Sequence, residues 1–151
     1  GPPSSSAIHP TGTAMRTMFL LAAVLLLGAC ATQSNRSRQK QLDDTLRSYA
    51  ATVRWGSFEQ AQAFIEPKHL EAHPPSALDL ARYRQVQVTG YDAQPRAMIS
   101  ETEARQLVRI DLVNVNTQSA RSVVDRQTWT YDETAQRWWL ASGLPDISRQ
   151  D

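Results

Sequence analysis

The most apolar stretch of the chain, residues 18–31, limits what the sequence can become more than any other feature. It reads MFLLAAVLLLGACA and contains the only cysteine, Cys30. A helix that crosses the hydrocarbon of a bilayer needs about 20 apolar residues, and this run is shorter and poorly flanked. It has instead the proportions of a signal peptide, with Arg16 as the positive segment, residues 19–27 as the apolar core and small residues before a cleavage point.

The end of this run is similar to the lipobox of bacterial lipoproteins, with the residues Leu27, Gly28, Ala29 and Cys30. The resemblance implies that signal peptidase recognises the first three, that the peptide is cut before Cys30, and that the Cys30 thiol is diacylglycerylated. The membrane is then a partner through this anchor, because two or three acyl chains hold a protein on a bilayer where one does not. The alternative is a buried helix whose last turn carries a cysteine.

The residue after the cysteine bears on the location of such a lipoprotein. Ala31 stands there rather than an aspartate. In enterobacterial-type sorting, this pattern implies transfer to the outer membrane, with the protein facing the periplasm.

Composition divides the rest of the chain. Residues 1–14 are rich in Gly, Pro, Ser and Thr and have no hydrophobic period, so they are predicted to be a disordered upstream extension, with the true start at Met15. The predicted parts that follow are the signal peptide over 15–29, a polar lipidated tether over 30–38, one domain over 39–145 and a polar tail over 146–151.

Charge and cysteine content exclude several classes of function. The chain has 16 Lys and Arg against 15 Asp and Glu, a net charge of +1, so no strong field recruits a polyanion. Arginines recur along the predicted strands, but the envelope location and the neighbouring carboxylates argue against a nucleic-acid partner. A lipidated Cys30 leaves no disulfide, no thiol nucleophile and no cysteine-based zinc site.

Two N-terminal helices are predicted at the start of the domain. Apolar residues step by four, three and four positions along one helical face, at Leu42, Leu46, Tyr49 and Val53. Asp43 precedes Arg47 by four residues, which favours a surface ion pair. Gly56 is expected to end this helix as a left-handed cap, and Ser57 with Gln60 predicts a capping box for a second, shorter helix.

The segment over residues 66–81 is predicted to be irregular because Pro67, Pro74 and Pro75 prevent a long helix, although Ser76 with Asp79 could cap a single helical turn. It contains His69 and His73, which are four residues apart. They could share a helix face and hold a metal, but no third ligand is obvious and the order is not that of a metalloprotease. Solvated loop histidines are the favoured interpretation, and no metal or cofactor is expected.

After residue 83 the hydrophobic period becomes two, which predicts strands. Val86 and Val88 begin the first, with a bulge or bend at Gly90. Further strands are predicted near residues 97–99, 105–116, 122–131 and 137–141. Helices followed by a meander of antiparallel strands indicate an α+β fold.

This element order, together with WGSFE at residues 55–59, TWTYDE at 128–133 and QRWWLAS at 136–142, resembles the nuclear-transport-factor-two-like family, also called SnoaL-like or cystatin-like. The resemblance covers roughly residues 38–144. It implies two N-terminal helices packed on a curved antiparallel sheet of about four strands. In that family the space between helices and sheet is either a ligand pocket or a filled core, and enzymatic members place an acid or base and a tyrosine there.

Aromatic residues are the candidate lining of a pocket or binding surface: Tyr49, Trp55, Tyr91, Trp129, Trp138 and Trp139. Trp138 and Trp139 are adjacent in a predicted strand and must point to opposite faces, so one is expected under the helices and the other on the back of the sheet. Asp111 and Asp125 also lie on strands, but no spacing forces an acid and a tyrosine into one site, and no catalytic residue is assigned. An outward position beside arginines is favoured for Asp111.

Three functions stay open at this point. The favoured hypothesis is a non-catalytic domain that binds a protein partner or an envelope polymer such as a glycolipid or peptidoglycan, with a homodimer through the back of the sheet as an additional option. The second is a carrier or sensor of a small ligand in a pocket between helices and sheet. The third is a small isomerase- or dehydratase-like enzyme in the same pocket.

Overall fold

The computed structural model describes residues 1–3 and 11–148. Parts of the predicted upstream extension and of the predicted polar tail lie outside these residues. The chain has an α+β fold with a long N-terminal helix and a curled antiparallel sheet. It forms two compact units, Gly1–Ser37 and a second one that begins at Arg38.

The first helix, α1, spans Thr11–Trp55. It includes residues 31–38, which were expected to form an irregular tether; no proline or glycine occurs between residues 29 and 55 to end the helix. In the second unit, the predicted helical face is confirmed. Leu42, Tyr49 and Val53 are buried, and Leu46 packs against them.

Short helices follow instead of a single second one: α2 (Phe58–Ala61), a 3-10 turn (Gln62–Phe64), α3 (Pro67–Ala72) and α4 (Ala77–Arg84). The predicted pair of N-terminal helices is therefore not confirmed in that form. The prediction of an irregular segment over 66–81 is wrong, since α3 and most of α4 lie there. Pro67 occupies the first turn of α3, where the missing N–H and fixed φ of proline are tolerated.

The sheet consists of β1 (Val86–Ala93), β2 (Ala97–Ser100), β3 (Glu103–Asn114), β4 (Ala120–Asp132) and β5 (Arg137–Leu140). The pairings between these strands are antiparallel, and the order is β1-β3-β4-β5, with β2 pairing with β3 beyond the end of β1. β1 and β2 together thus run along one side of β3.

The predicted irregularity at Gly90 is confirmed, because the register of β1 against β3 shifts between Val88 and Gly90. The reason for glycine is the approach of a carboxylate. A Cβ at position 90 would lie 2.6 Å from Oδ2 of Asp111. Asp111 faces outward, as expected, and pairs with Arg109 at 3.3 Å.

The core of the second unit lies between α1 and the inner face of the sheet. Tyr49 of α1 meets Trp129 of β4 edge to face, with ring centroids 5.3 Å apart. The indole Nε1 of Trp138 donates to the backbone oxygen of Arg38 at 2.9 Å. Leu42, Tyr49, Trp129 and Trp138 are all fully buried, so aromatic side chains fill the space beneath the helix.

A second contact fastens α1 to the sheet side of the domain. Asp43 accepts hydrogen bonds from Nε and Nη2 of Arg96, between β1 and β2, at 2.5 and 3.2 Å. The expected Asp43–Arg47 pair is wrong, because Arg47 pairs with Asp44. Asp43 is hydrogen-bonded to Arg96 instead of to Arg47, its neighbour on the helix.

Near its end the chain returns to the core. The hydroxyl of Tyr83 in α4 donates to the backbone oxygen of Pro145 at 2.7 Å. Ile147, in the segment expected to be a polar tail, is buried and belongs to the core cluster.

Candidate binding surface

Hydrogen bonds close the corner between α1 and α2. The N–H of Gly56 donates to the backbone oxygen of Thr52 at 2.9 Å. The predicted capping box is confirmed: Ser57 N–H donates to Oε1 of Gln60 at 3.2 Å, and Gln60 N–H donates to Oγ of Ser57 at 3.1 Å. Both ends of the turn are therefore tied by hydrogen bonds.

The expected left-handed cap at Gly56 is wrong, because Gly56 does not have a positive φ. Among the described glycines, only Gly143 has one. Close packing requires the glycine instead. A Cβ on Gly56 would lie 2.3 Å from Oε1 of Gln60 and 2.8 Å from the backbone oxygen of Thr52. Any larger residue would push the capping side chain away from the corner.

Trp55, the last residue of α1, projects from this corner into solvent. Its side chain is 78% exposed, which is unusual because burial of an indole normally stabilises a fold. The guanidinium carbon of Arg54 lies 4.9 Å from the ring centroid, a cation–π contact. Tryptophan is enriched among the residues that contribute most to binding at protein interfaces, so this exposed indole is a candidate element of a binding surface.

A groove of about 310 Å³ runs beside Trp55, between the end of α1 and the start of β1. We call it the Trp55 groove. Its polar lining includes Arg54, Arg84 and Glu59, and Arg84 forms an ion pair with Glu59 across it. Gln87 lines the β1 side, and Val53 and Val88 are among the apolar side chains there. Of these residues, Trp55 alone is among the aromatic residues predicted to line a binding surface; the charged ones come together through folding.

Trp138 and Trp139 lie on opposite faces of β5, as predicted. Trp138 is fully buried in the core, and Trp139 is half-buried on the outer face. The guanidinium of Arg137 lies 3.5 Å from the ring centroid of Trp139, and the indole Nε1 donates to Oδ2 of Asp132 at 3.3 Å. Trp139 is thus partly covered by side chains of its own chain.

The outer face of the sheet carries a second groove, of about 410 Å³, next to the connection between β1 and β2. Leu107 lies in it, flanked by Arg105 and Arg126. This is the face through which a homodimer was expected, and that expectation stays a prediction.

Inside the domain, side chains of β1 and β4 form a hydrogen-bonded group around Gln127. Its Nε2 donates to Oδ2 of Asp125 at 2.9 Å and to the hydroxyl of Tyr91 at 3.0 Å, and its Oε1 accepts from the indole of Trp129 at 3.0 Å. These bonds use every donor and an acceptor of the amide. Gln127 was not singled out from the sequence, although it occupies every second position of β4 together with Asp125 and Trp129 and therefore shares their face.

Burial dominates the electrostatics of this group. Asp125 is 7% exposed, and burial raises the pKa of its carboxyl from 3.8 to about 6, although the hydrogen bond from Gln127 opposes the shift. Burial also raises the pKa of Tyr91 to about 12. The pKa of Tyr49 is raised well above its usual value, first by burial and then by the charge of Asp125.

Tyr49 fills space rather than binding through its hydroxyl. Within the described part of the chain, its hydroxyl is buried without a hydrogen-bond partner. Its ring packs edge to face against Phe64 as well as Trp129, with centroids 5.4 and 5.3 Å away. Of the six predicted aromatic residues, Tyr49, Tyr91, Trp129 and Trp138 therefore line the interior, whereas Trp55 and Trp139 lie on the surface in different places.

His69 lies in α3, and His73 follows the last residue of that helix. The ring centroids of His69 and His73 are 4.9 Å apart, and both line a surface groove of about 240 Å³ with Asp79 and Tyr83. Among the described residues, no group of three or more His, Cys, Asp or Glu side chains could hold a metal ion.

The predicted lipidation segment lies in the N-terminal part of α1. Leu27 and Cys30 are exposed, and the leucines and valine of residues 20–27 leave most of their surface uncovered. The most apolar 18 residues of this helix have a mean hydropathy of 1.8, and none of them is buried. The apolar run was expected to be too short for a membrane span, but the helix is long and apolar enough for one by length and composition alone, as is a signal sequence near the N-terminus. Gly28 and Ala29 lie in the same exposed turns.

No family model, curated protein or solved structure matches this chain. The function therefore has to be argued from the residues and their geometry.

Proposed function

We propose that this chain is a bacterial lipoprotein, anchored at Cys30 in the outer membrane and facing the periplasm. Its domain, related to the nuclear-transport-factor-two-like fold, is a non-catalytic binding module for a protein partner or an envelope polymer. The lipobox at Leu27, Gly28, Ala29 and Cys30 supports the anchor, and the exposed apolar segment before it is suited to a signal peptide.

The filled interior favours a domain that binds at its surface over one that holds a ligand in an internal pocket. Tyr49, Trp129 and Trp138 are fully buried between α1 and the sheet. The domain therefore has little room there for a ligand, which favours recognition on its surface. The exposed indole of Trp55 and the adjoining groove are the features that fit such a role best.

A second candidate is the isomerase- or dehydratase-like enzyme, which Asp125 favours. The Asp125 carboxyl is buried and has a raised pKa, and the side-chain amide of Gln127 links it by hydrogen bonds to the hydroxyl of Tyr91. A carboxyl and a tyrosine in such an arrangement resemble the acid and base of an enzyme. General acid–base catalysis, however, requires a group that reaches its substrate. Asp125 is hydrogen-bonded to Gln127 beneath a packed core, so this candidate is the weaker one.

The anchor can be tested by replacing Cys30. We expect the wild-type protein, expressed in a bacterium with a lipoprotein pathway, to incorporate labelled palmitate. Its intact mass should be that of a chain whose first residue is a triacylated Cys30. Cys30→Ser should abolish the label and keep residues 15–29 attached, because no thiol remains to be acylated.

Ser34→Ala serves as the matched control, since it lies four residues further along the same helix and leaves the lipobox unchanged. It should be labelled like the wild type. A wild-type protein that takes up no palmitate, or a Cys30→Ser variant that is labelled as strongly, would contradict the proposed anchor.

A further inference from the structure

We infer that the Trp55 groove binds the glycan strands of peptidoglycan. This inference rests on the proposed function, because the domain must face the periplasm to reach that polymer. It names the partner of the surface on which binding was proposed.

The exposed indole supplies the stacking surface. The face of an aromatic ring carries partial negative charge and attracts the partly positive C–H hydrogens that line the flat side of a pyranose ring. Trp55 is 78% exposed and stands at the end of α1 on a corner fixed by the Ser57–Gln60 capping box. A sugar can therefore stack on the ring without a change in the backbone.

The groove beside the ring supplies polar groups for the rim of a sugar. Hydroxyl and acetamido groups both donate and accept hydrogen bonds. Arg54 and Arg84 offer donors, Glu59 offers acceptors, and the amide of Gln87 offers both. An apolar peptide anchor would instead favour a deep, desolvated pocket, which this open and largely polar groove is not.

Charge complementarity selects peptidoglycan among glycans. Arg54 has no carboxylate partner in the part of the chain that the structure describes, and it contacts the indole instead. Arg84 is neutralised by Glu59, so the groove keeps one positive charge. The stem peptides of peptidoglycan carry carboxylates, and a stem next to the stacked sugar would meet this charge.

Co-sedimentation with purified peptidoglycan sacculi tests the inference. We expect the full-length wild-type lipoprotein, purified in detergent micelles, to pellet with sacculi stripped of protein and lipid. Trp55→Ala should weaken binding about tenfold, the loss expected for one central aromatic contact, and Trp55→Phe should retain most of it. Trp139→Ala is the matched control, because it removes a half-buried indole on the outer face of β5, outside the Trp55 groove, and should bind like the wild type.

An amidase digest identifies the bound part, because it separates the glycan strands from the stem peptides and releases both in soluble form. The released glycan strands should compete with intact sacculi for the wild-type protein, with weaker dependence on salt because the carboxylates facing Arg54 are gone. The released stem peptides should not compete. Competition by the stem peptides and not by the glycan strands would make the stem peptide the ligand and overturn the inference.

The inference is also overturned if the wild type stays in the supernatant or if Trp55→Ala binds as well as the wild type. Palmitate labelling of the same preparations separates this result from failure of the proposed function. A labelled protein that does not bind sacculi contradicts only the glycan partner, whereas an unlabelled protein contradicts the anchor. Near-ultraviolet circular dichroism of Trp55→Ala should show the wild-type core signal, because the side chain is exposed.

Discussion

At the scale of single residues, Asp125 couples the stability of the domain to pH. Its pKa is about 6 in the folded protein against 3.8 as the ordinary value, so the folded state binds the proton more tightly than the unfolded state. The free energy of unfolding should therefore fall as pH rises from about 4 to about 6. Above the folded pKa it should fall no further on account of Asp125. The rise of this pKa from 3.8 to about 6 corresponds to a loss of roughly 3 kcal/mol in the free energy of unfolding.

We expect Asp125→Asn to be more stable than the wild type at pH 7 by about 1 to 3 kcal/mol, because the amide is buried without a charge. The fall between pH 4 and pH 6 should be smaller in this variant. Urea unfolding followed by tryptophan fluorescence at several pH values measures both effects. Asp111→Asn, on the outer face, is the control and should keep the wild-type pH profile; identical profiles for Asp125→Asn and the wild type would contradict the prediction.

The arrangement around Asp125 could be predicted in part from the sequence. Alternation along β4 predicts that Asp125, Gln127 and Trp129 share a face, and alternation along β5 places Trp138 and Trp139 on opposite ones. The hydrogen bond between Gln127 and Tyr91 could not be predicted. It depends on the register of β1 against β3, which shifts at the bulge before Gly90, and the length of such a shift is not encoded in a hydrophobic pattern.

At the scale of elements, the contact between Asp43 and Arg96 joins α1 to the connection between β1 and β2 across 53 residues of sequence. The hydrogen bond from Arg96 lowers the pKa of Asp43. We expect Asp43→Asn to reduce the free energy of unfolding by up to about 1 kcal/mol at pH 7, since both side chains are partly solvated. The loss should vanish as pH falls through the lowered pKa, where the wild-type carboxylate is protonated as well.

Asp44→Asn is the matched control for this element. Its partner Arg47 lies three residues along the same helix, and both side chains are more than half exposed. Its effect should be smaller than that of Asp43→Asn in the same urea titration, because a local surface pair contributes little. Equal effects of the two substitutions would show that the link to Arg96 adds nothing to stability.

Local signals predicted elements well where the chemistry was local. The Ser57–Gln60 capping box starts α2, and the Ser76–Asp79 box starts α4. Prolines misled the prediction because Pro67 can either end a helix or occupy its first turn, and only the neighbouring packing decides. Gly56 was interpreted through its conformational freedom, yet the close approach of Gln60 and Thr52 is what requires it; this contact exists only after the corner has folded.

At the scale of the whole molecule, the change of hydrophobic period from helical to alternating was sufficient to predict an α+β fold with antiparallel strands. The Trp55 groove could not be predicted, because Arg54, Arg84 and Gln87 come from a helix end, a second helix and a strand. Surface sites assembled from distant segments leave no spacing in the sequence. The exposed Trp55 was the one visible signal, and the sequence alone could not tell whether it would be buried.

Sorting of the proposed lipoprotein can be tested in the same way. If the protein is anchored at Cys30, the residue that follows should determine which membrane receives it in a host with enterobacterial-type sorting. Ala31→Asp should move the protein from the outer to the inner membrane fraction in a sucrose gradient, while palmitate labelling stays at the wild-type level. Ala31→Ser, which keeps a small uncharged side chain, should remain in the outer membrane. A labelled Ala31→Asp protein that sediments with the outer membrane would contradict sorting by this residue, and the proposed location would then require another signal within the chain.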